Sequence, residues 1–171
     1  MAGGSVWVAL EAGADPVASA RALRGAHGRF FTGDGAHEPP GGVRSVIAAS
    51  WRRSTRAGVA PDAPAAAPVV LDESAVADHR ERSGLAAALP LVSDLVGLRT
   101  REARHVLIVT DVLGHLLWVE GDRELRRRSA ERVELVPGAL WDERAAGTNA
   151  MGTALARARE RRRARDAGDA S

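Results

Sequence analysis

Between Leu135 and Ala156 the chain reads LVPGALWDERAAGTNAMGTALA, and its Gly147-Thr148-Asn149 centre admits few structures: a tight loop feeding directly into a helix. Gly147 can take backbone angles that other residues avoid. Thr148 has a side-chain oxygen suited to cap the free amides of the helix that follows. Beyond it, Ala150, Ala154 and Ala158 share one helical face, with Met151 and Leu155 beside them. Gly152, Thr153 and Ala154 are small, so this helix can lie very close to whatever it packs on. Gly152 costs about 1 kcal/mol of helix propensity relative to Ala, a cost that a helix carries where close approach is needed. Upstream, Trp141 stands in a loop with Asp142 and Glu143, an amphipathic anchor beside carboxylates.

The period changes around residue 105. HVLIVT, His105 to Thr110, reads as a strand with both faces apolar. Asp111-Val112-Leu113-Gly114 reads as a turn, with Asp bonding its own backbone and Gly allowing a positive angle. His115 to Glu120 is the returning strand of a hairpin whose expected core residues include Leu107, Val109, Leu116 and Trp118. Arg123 to Arg132 follows as a short polar helix or loop, and Val133 to Val136 as a short strand.

The first part of the chain is helical and linker-like. Residues 1–20 are rich in Ala and Gly around one apolar cluster, Val6, Trp7, Val8 and Leu10. A helix over 18–31 would align Leu23, Ala26, His27 and Phe30, and the turn-rich residues 32–42 read as a linker. Val43 to Arg56 forms an amphipathic helix with Val43, Ile47, Trp51 and Ser54 in one stripe and Arg44, Arg52, Arg53 and Arg56 off it. DAPAAAP, 62–68, is a linker by composition. Leu71 to Leu89 reads as helical, with Asp72 its N-cap and Gly84 a split. Pro90 opens a further helix with Leu91, Val92, Leu95, Val96 and Leu98 facing the core.

Two of these blocks carry a family resemblance. Trp141-x-Glu143 followed by Gly-Thr-Asn-Ala-x-Gly-Thr-Ala-Leu-Ala, 147–156, resembles the signature of GAF sensor domains in bacterial transcription regulators. The subgroup includes acetoin-catabolism activators of the sigma-54-dependent class and related regulators of high-GC bacteria. Arg44, Ile47, Ser50, Trp51, Arg53 and Ser54 are similar to the helix preceding the GAF domain in that group. The resemblance implies an α/β (α+β) fold: an antiparallel sheet covered by helices and preceded by a helical extension. It also implies further strands after Ala156, which RARERRRARDAGDAS does not supply, so the expected domain is GAF-like and truncated at its C-terminal end. The expected organisation is a helical and flexible extension (1–42), an amphipathic helix and linker (43–68), a partial GAF-like domain (69–156) and an Arg-rich tail (157–171).

Composition narrows the chemistry. The chain has no Cys, so it has no disulfide, thiolate metal site or cysteine nucleophile. The five His, at 27, 37, 79, 105 and 115, have no metal-ligand spacing; His105 and His115 read as polar tips of the hairpin. No metal or cofactor is expected. No apolar run approaches the ~20 residues of a membrane helix, no signal peptide is read at the N-terminus, and the expected location is cytoplasmic. All 24 basic residues are Arg, which fits a GC-rich coding bias. Residues 1–60 carry a net charge of +3, residues 61–156 one of −4, and residues 157–171 one of +3. The mildly acidic middle argues against a broad nucleic-acid face.

No Walker loop is present, and Ser50, Ser54, Thr148 and Thr153 have no neighbouring base pattern that would make one a nucleophile. The expectation is a non-enzymatic sensor module with no catalytic residues. A small-molecule effector would contact Trp141, Glu143, Thr148 and Asn149, although each of the four also reads as a residue that merely fixes the loop. The resemblance adds that Glu143 would bond the Gly-Thr-Asn turn. Expected partners are a second copy or a downstream regulatory domain, with DNA reached only through a region absent from this chain. The alternatives are a basic nucleic-acid-binding protein using the arginines of 44–56 and 157–165, a dimerisation piece, or a fragment without function.

Overall fold

A computed structural model describes residues 15–32, 43–61, 66–95 and 105–168. The apolar cluster at 6–10, the linker residues 33–42, and Val96 and Leu98 lie outside them. The architecture is mixed α and β: six helices and one two-stranded antiparallel sheet among the described residues. No helix there is long and apolar enough to cross a membrane. The chain divides into two compact units, Met1–Ala48 and Ala49–Ser171.

In the first unit, helix α1 spans Pro16–Thr32. Proline at the first helical position loses no needed donor, and the Asp15 carboxylate accepts the Val17 amide at 2.8 Å. Ala26 and Phe30 are buried as expected, whereas Leu23 is exposed. Helix α2 spans Ser45–Arg56, its residues from Ala49 onward belonging to the second unit, and Ala48, Ser50, Trp51 and Ser54 on it are buried.

In the second unit, α3 (Glu73–Arg82) starts where expected, with the Asp72 carboxylate accepting the Ala75 amide at 2.8 Å. Gly84, at φ +67°, separates it from α4, described over 89–95. Of the positions expected to face the core from α4, those described are not buried: Leu91 is 65%, Val92 36% and Leu95 67% exposed, and among the described residues of this helix only Leu89 is a buried hydrophobic. Strands β1 (Val106–Thr110) and β2 (Leu116–Gly121) pair antiparallel. In the turn between them Asp111 Oδ1 accepts the amides of Leu113, Gly114 and His115 at 2.8–3.0 Å, and Gly114 takes φ +105°.

The register corrects the expected strand core. Val109 pairs with Trp118 and Ile108 with Val119, but Thr110 pairs with Leu116, so a bulge falls at Leu117. A bulge shifts the phase of alternation along its strand. Leu116 therefore shares a face with Ile108 and Val119, while Trp118, Val109 and Leu107 occupy the other. The core cluster is Ala67, Leu116, Ala139 and Trp141, with Ile108, Val119, Val133, Leu135, Val136, Ala146 and Met151 packed against it. On the opposite face the Arg80 guanidinium lies 5.3 Å from the Trp118 ring, and its Nε donates to the Leu117 carbonyl at 2.8 Å.

Helix α5 (Arg123–Val133) is capped by Asp122 and ends at Glu134 in the left-handed region, φ 55°. Consequently 133–136 is not a strand. The extra pairing falls later: Ala139 bridges Val69, and Leu140 bridges His115. Hydrogen bonds from Leu116 to Ala139 and from Trp141 to Gly114, both 2.9 Å, lay this segment beside the start of β2. Helix α6 (Ala150–Gly168) then runs unbroken through the Arg-rich stretch, about a turn further than the two turns past Ala156 expected for it.

Candidate functional site

A buried carboxylate organises the loop between residue 141 and α6. Glu143 is 5% exposed, and its Oε1 accepts from Ser50 Oγ at 2.5 Å, Thr153 Oγ1 at 2.8 Å and Arg53 Nη2 at 3.0 Å. Its Oε2 accepts from Arg53 Nε at 2.5 Å, so the guanidinium grips both oxygens. Fork geometry of this kind is among the stronger ion-pair arrangements. An ionised carboxylate only accepts, so the single protons of Ser50 and Thr153 both point at Glu143. Ser50 Oγ also lies 2.8 Å from Thr148 Oγ1, which brings the Gly147-Thr148-Asn149 turn against α2.

Burial pushes the Glu143 carboxyl up, but the bonds from Arg53, Ser50 and Thr153 outweigh it and hold the group below its ordinary value. Arg53 also reaches Glu160 on α6, 3.2 Å away. The cluster thus joins α2, the 141–149 loop and α6 through side chains about ninety to one hundred positions apart in sequence.

The backbone makes this approach feasible. Gly147 takes φ +67°, turning the chain into the helix. A Cβ at Gly152 would sit 2.8 Å from the Glu143 nitrogen and 3.0 Å from the Trp141 carbonyl oxygen, so α6 meets the loop at a distance only glycine permits.

Two expectations at this site are corrected. The cap of α6 is Asn149 and not Thr148: Asn149 Oδ1 accepts the Gly152 amide at 2.8 Å, while Nδ2 donates to the Gly147 carbonyl at 2.9 Å. Asn serves because its short amide can accept from the first turn and donate backwards at once. Glu143 bonds Ser50, Arg53 and Thr153 and not the Gly147-Thr148-Asn149 turn itself.

The four residues singled out in the sequence therefore differ in what they offer. Glu143 and Asn149 have internal partners. Thr148 is solvent-exposed and touches Ser50 and, at 3.4 Å, Ser54. Trp141 is 9% exposed, and its ring Nε1 finds no acceptor among the described residues. Sequence reasoning missed the roles of Ser50, Arg53 and Thr153. The available signal was the buried stripe of α2, in which Ser50 lies one position before Trp51 and carries a hydroxyl that must find a partner.

The chain is 35% identical over 159 residues to an uncharacterized 47.3 kDa protein encoded in the thcA 5' region of Rhodococcus erythropolis, covering 90% of this chain and 36% of that protein. It is 34% identical over 116 residues to AcoR, the acetoin dehydrogenase operon transcriptional activator of Bacillus subtilis (strain 168), covering 66% of this chain and 18% of the activator. The chain thus spans about a third of the one relative and under a fifth of the other. No protein-family model matches it, and no solved structure does.

Proposed function

We propose that this chain is a non-enzymatic regulatory module of the kind found in transcription regulators, GAF-like in plan, whose 141–149 loop responds to a small molecule or to a neighbouring domain. Two thirds of the chain is similar to part of a transcriptional activator, which supports the regulatory half of the reading. The observation that carries the ligand-binding half is the buried, unpartnered Nε1 of Trp141. A buried donor without an acceptor costs about 1–3 kcal/mol. A small molecule presenting a carbonyl or hydroxyl oxygen there would recover that energy and tie the loop to the hairpin. Differential affinity for two loop arrangements is what a switch requires. Catalysis is disfavoured because the Glu143 carboxylate is neutralised by Arg53, which makes it a poor base for Ser50.

The test is a thermal-shift and calorimetric screen of the full chain against small hydroxy-carbonyl compounds, with acetoin as the first probe, repeated on Trp141→Phe. Expected is a compound that raises the melting temperature and binds Trp141→Phe at least tenfold more weakly. Equal binding to both proteins, or no binding by any compound, refutes the reading.

The second reading, nucleic-acid binding, draws on one observation: α6 carries Arg159, Arg161, Arg162, Arg163 and Arg165 along an exposed stretch. Phosphate-driven binding would weaken with salt at a slope of about −0.9 per phosphate neutralised, so a salt titration with duplex DNA separates the two readings.

A further inference from the structure

The hairpin turn holds a second polar cluster, remote in role from the Glu143 network. His79 on α3 and His115 at the start of β2 both aim Nδ1 at the same oxygen, Asp111 Oδ2, at 3.1 and 2.8 Å. The two rings meet edge to face with centroids 5.3 Å apart. One ligand atom from each of the three residues lies within 4.8 Å of the others. All three side chains are shielded, with 26%, 13% and 13% of their surface accessible for His79, Asp111 and His115.

We propose that His79, Asp111 and His115 bind a divalent first-row transition-metal ion such as zinc. The donor set carries the argument. Two imidazoles with one carboxylate suit zinc, nickel or ferrous iron, whereas calcium and magnesium prefer oxygen alone. Zinc holds nitrogen and oxygen at about 2.0–2.2 Å, so ligand atoms around a tetrahedral ion stand roughly 3.3 Å apart. The Nδ1–Oδ2 distances here fall a few tenths of an ångström short of that, within reach of small ring rotations. Asp111 is also pre-set. Its Oδ1 is occupied by three backbone amides, which fixes the carboxylate and turns Oδ2 toward the rings. Metal ligands oriented by such outer contacts bind more tightly than free side chains. Three protein ligands leave a coordination position for water or an added ligand.

The competing explanation is a pair of histidines that merely donate to one carboxylate, and titration of the full chain decides between them. The chain is stripped with chelator and titrated calorimetrically with zinc chloride, then with cobalt(II), whose visible absorption reports coordination geometry. Expected are one equivalent of zinc bound, a rise in melting temperature, and at least a tenfold loss of affinity in both His79→Ala and Asp111→Asn. Asp111→Asn keeps an oxygen for the three turn amides, and His79→Ala lies on a helix surface, so at least one variant reports on binding with the fold intact. His105→Ala, an exposed residue just before β1, should bind zinc as the parent does. No binding, or undiminished binding in His79→Ala, overturns the proposal.

Discussion

Replacing Gly152 by Ala should destabilise the protein, against the usual effect of that change in a helix. Propensity alone favours Ala by about 1 kcal/mol. The new Cβ, however, would lie 2.8 Å from the Glu143 nitrogen, 3.0 Å from Glu143 Cγ and 3.0 Å from the Trp141 carbonyl oxygen. Two of these are backbone atoms, which no rotamer change can move aside. Carbon packs at about 3.5–4.0 Å, so α6 and the loop must separate by roughly half an ångström or more. Overpacking of this kind costs about 1–3 kcal/mol. The same separation pulls Thr153 Oγ1 from Glu143 Oε1, now 2.8 Å apart, and a bond to a charged group contributes about 1.5–3 kcal/mol. Setting mid-range values against the propensity gain leaves a net loss of about 3 kcal/mol. At this chain length that corresponds to a fall of about 6–12 °C in melting temperature. Gly28, in α1, has open space where a Cβ would go, so Gly28→Ala should stabilise by about 0.5–1 kcal/mol and serves as the control. Urea and thermal denaturation followed by circular dichroism measure both. A Gly152→Ala protein as stable as the parent would show that α6 does not rest on the loop as described.

Three further outcomes follow from the same contacts. Glu143 has its folded pKa depressed below an ordinary value near 4.5, so its contribution is fully present above that pH and is lost as pH falls through the folded value. Melting temperatures from pH 6 to pH 3 should therefore fall more steeply for the parent than for Glu143→Gln; parallel curves would exclude the carboxylate as the source. Asn149→Ala should cost about 1 kcal/mol by uncapping α6 and Asn149→Ser much less, as read from urea midpoints; a harmless Asn149→Ala would return the cap to Thr148. Trp141→Ala should cost about 3–5 kcal/mol of core packing, whereas Trp141→Phe removes a donor that has no acceptor and should cost under about 1.5 kcal/mol. A large loss in Trp141→Phe would mean that Nε1 has a partner after all.

What could be read from sequence was whatever a few adjacent residues decide among themselves. Asp72 caps α3, and Asp111 and Gly114 shape the hairpin turn, because each contact closes within about four positions. The strand faces were misassigned for an equally local but silent reason. A bulge at Leu117 leaves no mark in LLWVE, yet it sends Leu116 and Trp118 to opposite faces. The links from Ser50 and Arg53 to Glu143 span more than ninety positions or close to it, and no periodicity reports such a pairing. The histidine cluster escaped for the same reason: His79 comes from α3, while only Asp111 and His115 are neighbours. Exposed Leu91 and Leu95 show the limit of apolar periodicity, which identifies a face able to be buried and not the surface that buries it.

The Gly-Thr-Asn-Ala-x-Gly-Thr stretch is better explained as a clamp than as a ligand-reading motif. Gly147 supplies the left-handed turn, Thr148 a hydroxyl toward α2, Asn149 the cap, Gly152 the close approach and Thr153 a proton for Glu143. Each residue type answers a separate mechanical requirement, and together they fix α6, the loop and α2 around one ion pair. A sequence similar to this stretch therefore testifies first to a shared scaffold. Under the proposed function, specificity for an effector would come from groups the clamp leaves unoccupied, and among the described residues the buried indole N–H of Trp141 is such a group. Removing the charge of Glu143 or Arg53 should lower the melting temperature of the unliganded protein, because either change leaves the other member of the pair without its partner, and an unchanged melting temperature in both variants would refute the clamp.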